Sequence, residues 1–313
     1  MASVFVTNMF ATLSHDHGCF QGIDLRRELH AQTWLITGTS NGFGREMTVT
    51  LLARGDRVAA TLRNPGRLDD LSERYGDRLW RAELDVTDTT RLRDVVRRAF
   101  AELGRIDVVV SNAGYDVIGL AEELSDEQIS RQLDTNVVAP IQLVRAVTPY
   151  LREQGGGRIL QTSSMGGHIA YPAMSLYHTS KWAIEGFFEA YAMEVEPLGI
   201  HTTLIEPGMV ATDFYASADV APSQLPAYAG TQAAAFTHGE SFVALEDMPG
   251  DPHKVAEAMI HIGDLADPPR RQLLGSDAYA LVTDALQARL DAMRAQHEFA
   301  LTTDRDDLPA GVA

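Results

Sequence analysis

The feature that most limits this chain is a rhythm, in which short apolar runs alternate with longer amphipathic stretches from Thr33 onward. "TWLIT" (33–37), "RVAATL" (57–62), "LWRAELDV" (79–86), "IDVVVSNAG" (106–114), "GRILQTSS" (157–164) and "IHTTLIEPG" (200–208) read as strands, and "RRQLLG" (270–275) as a last one. Helical stretches separate them: "REMTVTLLARG", a short piece after Asn64-Pro65-Gly66, residues 89–103, 126–152 and 175–197, and "HKVAEAMIHIGDL". In 89–103, Leu92, Val95, Val96 and Phe100 fall on one stripe. Strands that are apolar throughout must be covered on both faces, which means a parallel sheet with helices on each side. Right-handed crossovers then give an α/β, doubly wound sheet of about seven strands.

The rhythm breaks after Gly208. Residues 209–250 are rich in Ala, Tyr, Phe, Pro and Gly without a clear period, as expected of a lid or substrate loop. No linker-like change of composition appears, so residues 32–298 are read as a single domain ending in a helix over 277–298. Residues 1–31 form a loosely ordered extension and 299–313 a tail.

A net charge of −17 argues against a nucleic-acid partner, and no apolar run is long enough to span a membrane. The single cysteine, Cys19, permits no intrachain disulfide or cysteine-based metal site, and His15 and His17 lack a third ligand nearby. No metal and a cytoplasmic location are the expectations.

"TGTSNGFG" (37–44) follows the first strand and opens the first helix. Glycines there let the backbone turn sharply and approach a phosphate, whose charge the helix N-terminus favours. The spacing is Gly38-x3-Gly42-x-Gly44. The second strand ends in Thr61-Leu62-Arg63 with no carboxylate to hold a ribose hydroxyl. A guanidinium at that point suits a 2′-phosphate, so NADP(H) is the expected cofactor, with NAD(H) the alternative.

Of the 26 lysines and arginines only Lys181 and Lys254 are lysines, and Lys181 stands four residues after Tyr177 in "SLYHTSK". On a helix that spacing puts both side chains on one face. A phenol has an ordinary pKa of ~10, and an ammonium beside it favours the phenolate, which suits general acid–base catalysis. Alone, such a pair is ordinary on a helix surface. Ser164, closing a strand thirteen residues earlier, adds a hydroxyl able to hold a substrate oxygen.

Thr37-Gly-Thr-Ser-Asn-Gly-Phe-Gly44, Ser111-Asn-Ala-Gly114, Asn136, Ser164, Tyr177-x3-Lys181 and Pro207-Gly208 occur in order. The chain resembles the short-chain dehydrogenase/reductase family over roughly residues 33–290. That resemblance implies a Rossmann fold and a hydride transfer between nicotinamide and a ketone or secondary alcohol. It casts Tyr177 as proton donor or acceptor, Ser164 as the residue positioning the carbonyl, and Lys181 as ribose ligand. Asn136 would hold a water in a proton relay to that lysine.

For the cofactor, the resemblance implies a phosphate loop of Gly38, Ser40, Asn41, Gly42, Phe43 and Gly44. Asp85 with Val86 would meet the adenine, and Asn112, Ala113 and Gly114 would line the cofactor with Pro207, Gly208 and Val210. Thr212 would bind the carboxamide. The chain departs from the family in residues 1–31, which have no counterpart, and in Asn41, which replaces a basic residue many NADP members carry. Candidate substrate residues are Tyr115, Met165, Tyr171, Met209 and Phe214, with His168, Met174 and Tyr215 beside them; their apolar character suits a hydrophobic ketone. An epimerase of the extended relatives is disfavoured by the glycine spacing, and a non-catalytic NADP sensor by the intact Tyr–Lys pair. The family implies homodimers or homotetramers, often through the helices carrying Asn136 and Tyr177.

Overall fold

The computed structural model describes residues 31–239 and 243–305; all but the last residue of the proposed extension over 1–31, and the last eight residues of the chain, lie outside them. Seven strands form one sheet: β1 Thr33–Thr37, β2 Arg57–Leu62, β3 Leu79–Glu83, β4 Val108–Ser111, β5 Gly157–Thr162, β6 Ile200–Pro207 and β7 Arg271–Leu274. Their spatial order is β3-β2-β1-β4-β5-β6-β7, and every neighbouring pair is parallel. The chain leaves β1 toward one edge and returns at β4 to build toward the other. The switch of direction between them opens a crevice at the carboxyl ends of the strands.

Among the described residues ten helices connect and cover the sheet: α1 Gly42–Arg54, α2 Asp69–Tyr75, α3 Thr89–Leu103, α4 Asp126–Leu133, α5 Ala139–Glu153, α6 Ser175–Val195, α7 Gln232–Thr237, α8 Pro252–Asp264, α9 Ser276–Arg294 and α10 His297–Leu301. Alternation along the strands divides the core. Trp34, Ile36, Val58, Val108, Val110 and Ile205 pack with Met47 and Leu51 of α1 and Met259 of α8. The intervening Leu35, Ala59, Val109, Ile159 and Leu204 face α3, α5 and α6 through Val95, Val147 and Phe188. Each such side chain contributes roughly 1.5–3 kcal/mol by leaving water, which is why runs apolar at every position are needed. Among the described residues no helix is long and apolar enough to cross a membrane.

Several expected boundaries move. β3 ends at Glu83 rather than residue 86, and β4 covers Val108–Ser111 because Asn112-Ala-Gly114 is already a turn. The helix read over 126–152 is broken by a π-helical turn at Asp134–Val138. Pro140 at the start of α5 explains this: it has no N–H, and its ring crowds the carbonyl four residues back, on Asn136. The terminal helix is two pieces, α9 and α10.

Residues 209–250 are not wholly irregular. They hold a strand, Asp219–Val220, paired with Val117–Ile118, and α7; residues 240–242 lie outside the described set.

Candidate active site

Three elements bring the sequence-predicted catalytic residues to the carboxyl edge of the sheet. The π turn buries Asn136, which clamps the backbone of Tyr115: its Oδ1 accepts from the Tyr115 N–H at 3.1 Å and its Nδ2 donates to the Tyr115 carbonyl at 2.8 Å. The same Nδ2 donates to Ser180 Oγ at 3.2 Å, tying the turn to α6 one residue before Lys181. Ser164 follows β5 and caps a one-turn 3₁₀ helix, its Oγ accepting the Gly166 N–H at 3.0 Å. That turn packs against α6 closely enough that a Cβ on Gly166 would lie 3.1 Å from the Tyr177 ring.

The start of α6 is held by a strained residue. Ala173 has φ 64°, the one positive value outside glycine among the described residues, and its carbonyl accepts from the Gly119 N–H at 2.9 Å. His178 then locks the first turn: its Nδ1 donates to the Gly166 carbonyl at 2.9 Å and its Nε2 accepts the Tyr171 N–H at 2.9 Å. Burial lowers its pKa, in keeping with this neutral ring.

Tyr177 and Lys181 are both buried, and the ammonium lies 5.5 Å from the Tyr177 ring centre. Burial pushes the phenol well above its ordinary value, helped by Tyr215 and Asp116 and opposed by a hydrogen bond with Ser164. The same burial lowers Lys181 to about 8, with Glu185 and Asp116 pulling it upward. The ammonium donates to the Thr162 carbonyl at 3.2 Å. Burial thus favours the neutral form of each, the phenol holding its proton more tightly and the lysine less.

Comparison with known proteins decides what this constellation belongs to. The family described as short chain dehydrogenase matches residues 32–221. The 3-ketodihydrosphingosine reductase of Bacteroides thetaiotaomicron is 33% identical over 248 residues, covering 79% of this chain and 89% of that protein. A short-chain dehydrogenase from Streptomyces avermitilis superimposes with TM-score 0.80 at 35% identity, over 88% of this chain and 100% of its own.

This chain belongs to the short-chain dehydrogenase family.

It is therefore an oxidoreductase. The closed form of a serine dehydrogenase complexed with NADP+ is also similar, with 27% identity and TM-score 0.66 over 78% of this chain and 94% of its own.

The dehydrogenase's glycine loop fits a nicotinamide dinucleotide. Gly38 has φ 72° and Gly42 φ 51°, and a Cβ on Gly44 would sit 2.3 Å from the Gly38 carbonyl oxygen. The loop thus folds against itself with backbone facing out. Asn41 stands at the N-cap of α1 without its side chain capping the helix, which leaves the first-turn N–H groups available to an anion. Ser40 and Phe43 flank it, half-buried. Asn112 fastens this loop to the neighbouring turn: its Nδ2 donates to the carbonyls of Thr37 at 3.0 Å and Gly38 at 3.2 Å. Thr37 Oγ1 accepts the N–H groups of Asn112 and Ala113 at 3.0 and 3.1 Å.

Arg63 is exposed at the end of β2 and lies within electrostatic reach of Asp85. Asp85 spends Oδ1 on its own turn, accepting from the Thr87 N–H at 3.0 Å and hydroxyl at 2.7 Å, next to half-buried Val86. Gly114 lies against Asn136: a Cβ there would come 3.2 Å from Asn136 Oδ1. At the other side of the crevice, Gly208 has no room for a side chain, since a Cβ would meet the Asp277 carboxylate at 2.3 Å. Asp277 Oδ2 accepts the Met209 N–H at 2.7 Å, fixing the Pro207-Gly208 turn. Val210 bridges to Gly250, and Thr212 Oγ1 accepts the Phe214 N–H at 3.4 Å.

The candidate substrate residues divide. Phe214 comes to the site, its ring 6.1 Å from that of Tyr177. Met165, Tyr171 and Met209 pack in a small apolar cluster with Ala278 and Val282 of α9. Tyr115 turns its ring toward α4, stacked on the Arg131 guanidinium at 4.9 Å. His168 joins Glu185 and Glu206 with ligand atoms within 4.8 Å of one another, but Arg271 spans this group, donating to Glu185 and, at 2.8 Å, to Glu206.

Sequence reasoning missed Thr37, Thr162, Asp116 and Asp277. Thr37 and Thr162 end strands, and their positions beside the Asn-Ala-Gly turn and the lysine helix were available signals. Asp116 and Asp277 carry no local signal.

Proposed function

We propose that the protein is an NADP(H)-dependent carbonyl reductase or alcohol dehydrogenase acting on a hydrophobic ketone or secondary alcohol. The observation that carries this is the convergence of Asn136, Ser164, Tyr177 and Lys181 at one sheet edge, with Tyr177 buried and its phenol raised well above its ordinary value by that burial. Gly38, Ser40, Asn41, Gly42, Phe43 and Gly44 would hold the pyrophosphate, and Arg63 the 2′-phosphate. Asp85 and Val86 would meet the adenine, and Asn112, Ala113, Gly114, Pro207, Gly208, Val210 and Thr212 the nicotinamide half. When bound, the cofactor supplies the hydride.

The chain's own groups manage the proton and the substrate. Ser164 donates a hydrogen bond to the carbonyl oxygen and orients it. Tyr177 delivers its phenolic proton to that oxygen as negative charge develops on it. Lys181, charged, would hold the ribose and stabilise the resulting phenolate, and Asn136 would hold a water in the relay that returns the proton through that lysine. Phe214, with Met165, Tyr171, Met209 and Tyr115, would give the substrate an apolar wall, and residues 209–250 would cover it. The serine dehydrogenase's NADP+ and the sphingoid ketone in the name of the Bacteroides relative support the cofactor and the substrate class. Self-association through α5 and α6 belongs to the same reading, since Trp182 and Met193 of α6 are 45% and 62% exposed.

The test is fluorescence titration with NADPH and NADH, repeated on Arg63→Ala, followed by NADPH oxidation with a panel of apolar ketones. Preference for NADPH that collapses in the variant, with turnover of at least one ketone, is the expected result. Equal binding of both cofactors, indifferent to the substitution, would favour an NAD-linked alcohol dehydrogenase. Binding without turnover in either direction would make the protein a cofactor sensor.

A further inference from the structure

Asp116 is the least satisfied group near the site. It is 0% exposed, and neither carboxylate oxygen has a hydrogen-bonding side chain, the backbone N–H of Val117 being the neighbouring donor that favours its charged form. A carboxylate taken out of water without a partner is strongly disfavoured, so a group in this condition calls for a nearby cation. Its backbone is pinned on both sides. Tyr115 is held by Asn136 and by Gln132, whose Nε2 donates to the Tyr115 carbonyl at 2.9 Å, and the Asp116 carbonyl accepts the Asp219 N–H at 2.9 Å. The side chain therefore has little freedom to move to solvent.

The same hydrogen bonds hold the backbone of Asp116 near that of the lysine, without a direct ion pair between them. Asn136 joins Tyr115 to Ser180, so Asp116 and Lys181 each stand one residue beyond the ends of that bridge. The strand Val117–Ile118 that follows packs on α6. The groups facing Asp116 are Lys181 and Tyr177 from α6, Tyr215 from the segment after β6, and its neighbour Tyr115. Lys181 is the only cation among them. Lys181 in turn donates to the Thr162 carbonyl at 3.2 Å, and two acids favour its charge: Glu185, one turn along its own helix and the stronger influence but already bonded by Arg271, and then Asp116.

We propose that Asp116 is the counter-ion of Lys181, a positioning residue that keeps the lysine in its ammonium form inside the buried site. The inference deepens the functional reading above and rests on it for its consequence, because only a charged Lys181 stabilises a Tyr177 phenolate. Asp116 touches neither reacting atom in this scheme; it acts through the lysine. Its own carboxyl is raised to about 7 by burial, with Lys181 drawing it down, so the pair exchanges charge near neutrality.

The chain offers a direct readout, because Lys181 and Lys254 are its only lysines. Labelling with 13Cε-lysine gives two carbon signals, one from buried Lys181 and one from exposed Lys254, which serves as internal reference. In the wild-type protein the Lys181 signal is expected to titrate near pH 8. In Asp116→Asn that midpoint falls by about one pH unit, as expected when an opposite charge is removed, and Asp116→Glu restores it; the Lys254 midpoint stays put. An unchanged Lys181 midpoint in Asp116→Asn overturns the proposal. Should that variant fail to fold, the wild-type signal alone decides: a coupled acid gives Lys181 a second inflection near pH 7, and a single inflection rejects the pair. None of this needs turnover, so failure to reduce any ketone would count against the proposed function and leave the lysine titration readable.

Discussion

Lys181 stands one helical turn after Tyr177, and its ammonium lies 5.5 Å from the centre of that residue's ring. Both are buried, and burial moves their proton affinities in opposite directions: the phenol holds its proton more tightly, the lysine less. The distance makes the lysine a neighbour of the ring, with its hydrogen bond spent on Thr162.

Replacing Tyr177 by Phe should remove the acid and leave the pocket. Turnover is expected to fall by about 10²–10⁴-fold, the usual contribution of a positioned general acid. NADPH binding, measured separately by fluorescence, should stay within a few-fold of wild type. Loss of binding together with turnover would mean the ring supports the fold instead.

The pH dependence follows from the opposed shifts. As pH rises through about 8, Lys181 loses its ammonium while Tyr177 stays protonated. For ketone reduction, kcat/KM for NADPH, which reports the free enzyme, should decline above that pH by about tenfold per unit. A profile flat to pH 10 would place the essential lysine charge elsewhere.

Arg63→Ala should weaken NADPH by roughly 10–100-fold and leave NADH nearly unchanged, the scale of a lost charge-assisted contact. The two dissociation constants, compared at one salt concentration, give the answer. A parallel loss for both would show a general effect of charge at the crevice mouth.

Asp277→Ala removes the acceptor of the Met209 N–H, a bond of 2.7 Å that crosses 68 positions of sequence. We expect a stability loss of about 1–3 kcal/mol from the buried donor left unpaired, read from urea midpoints at constant m. Weaker cofactor binding should accompany it, because the Pro207-Gly208 turn is released.

A methyl group on Gly44 has nowhere to go, since a Cβ would sit 2.3 Å from the Gly38 carbonyl oxygen and 2.8 Å from Asn112 Nδ2. Gly44→Ala should cost about 1–3 kcal/mol in stability through overpacking and open the loop enough to abolish cofactor binding. Thermal denaturation with and without NADPH separates the two effects: the variant should melt lower and gain nothing from the cofactor.

Much of this was written locally in the chain. β1, β2 and α3 begin and end where their apolar patterns do, because Asp88 caps α3 at its start and Gly104 stops it. The convergence of the candidate quartet, Asn136, Ser164, Tyr177 and Lys181, was legible for a similar reason: each member sits at a fixed place on a strand end or a helix turn, where spacing determines direction. The π turn at Asn136 was missed, although Pro140 four residues on was the available signal. Asp116 and Asp277 are another matter. Each is a single acidic residue in unremarkable sequence, and what makes it matter is burial by segments far away in the chain. Period and propensity carry no record of that. The packing of the candidate substrate residues was likewise not legible, since Tyr115 stacks on Arg131 and Met165 packs on α9, contacts between segments far apart in the chain.

The two-residue strand Asp219–Val220 has a consequence for how the segment after β6 can move. It is stitched to Val117–Ile118 in the first part of its length, and the N–H groups of Gln224 and Leu225 add a second tie, to Glu123. The stretch before the stitch, with Phe214 against Tyr177, and the stretch after it, with α7, are separate flaps on a shared seam. Under the proposed function the two stretches would shape the pocket from different sides of that stitch, Phe214 from one and α7 from the other.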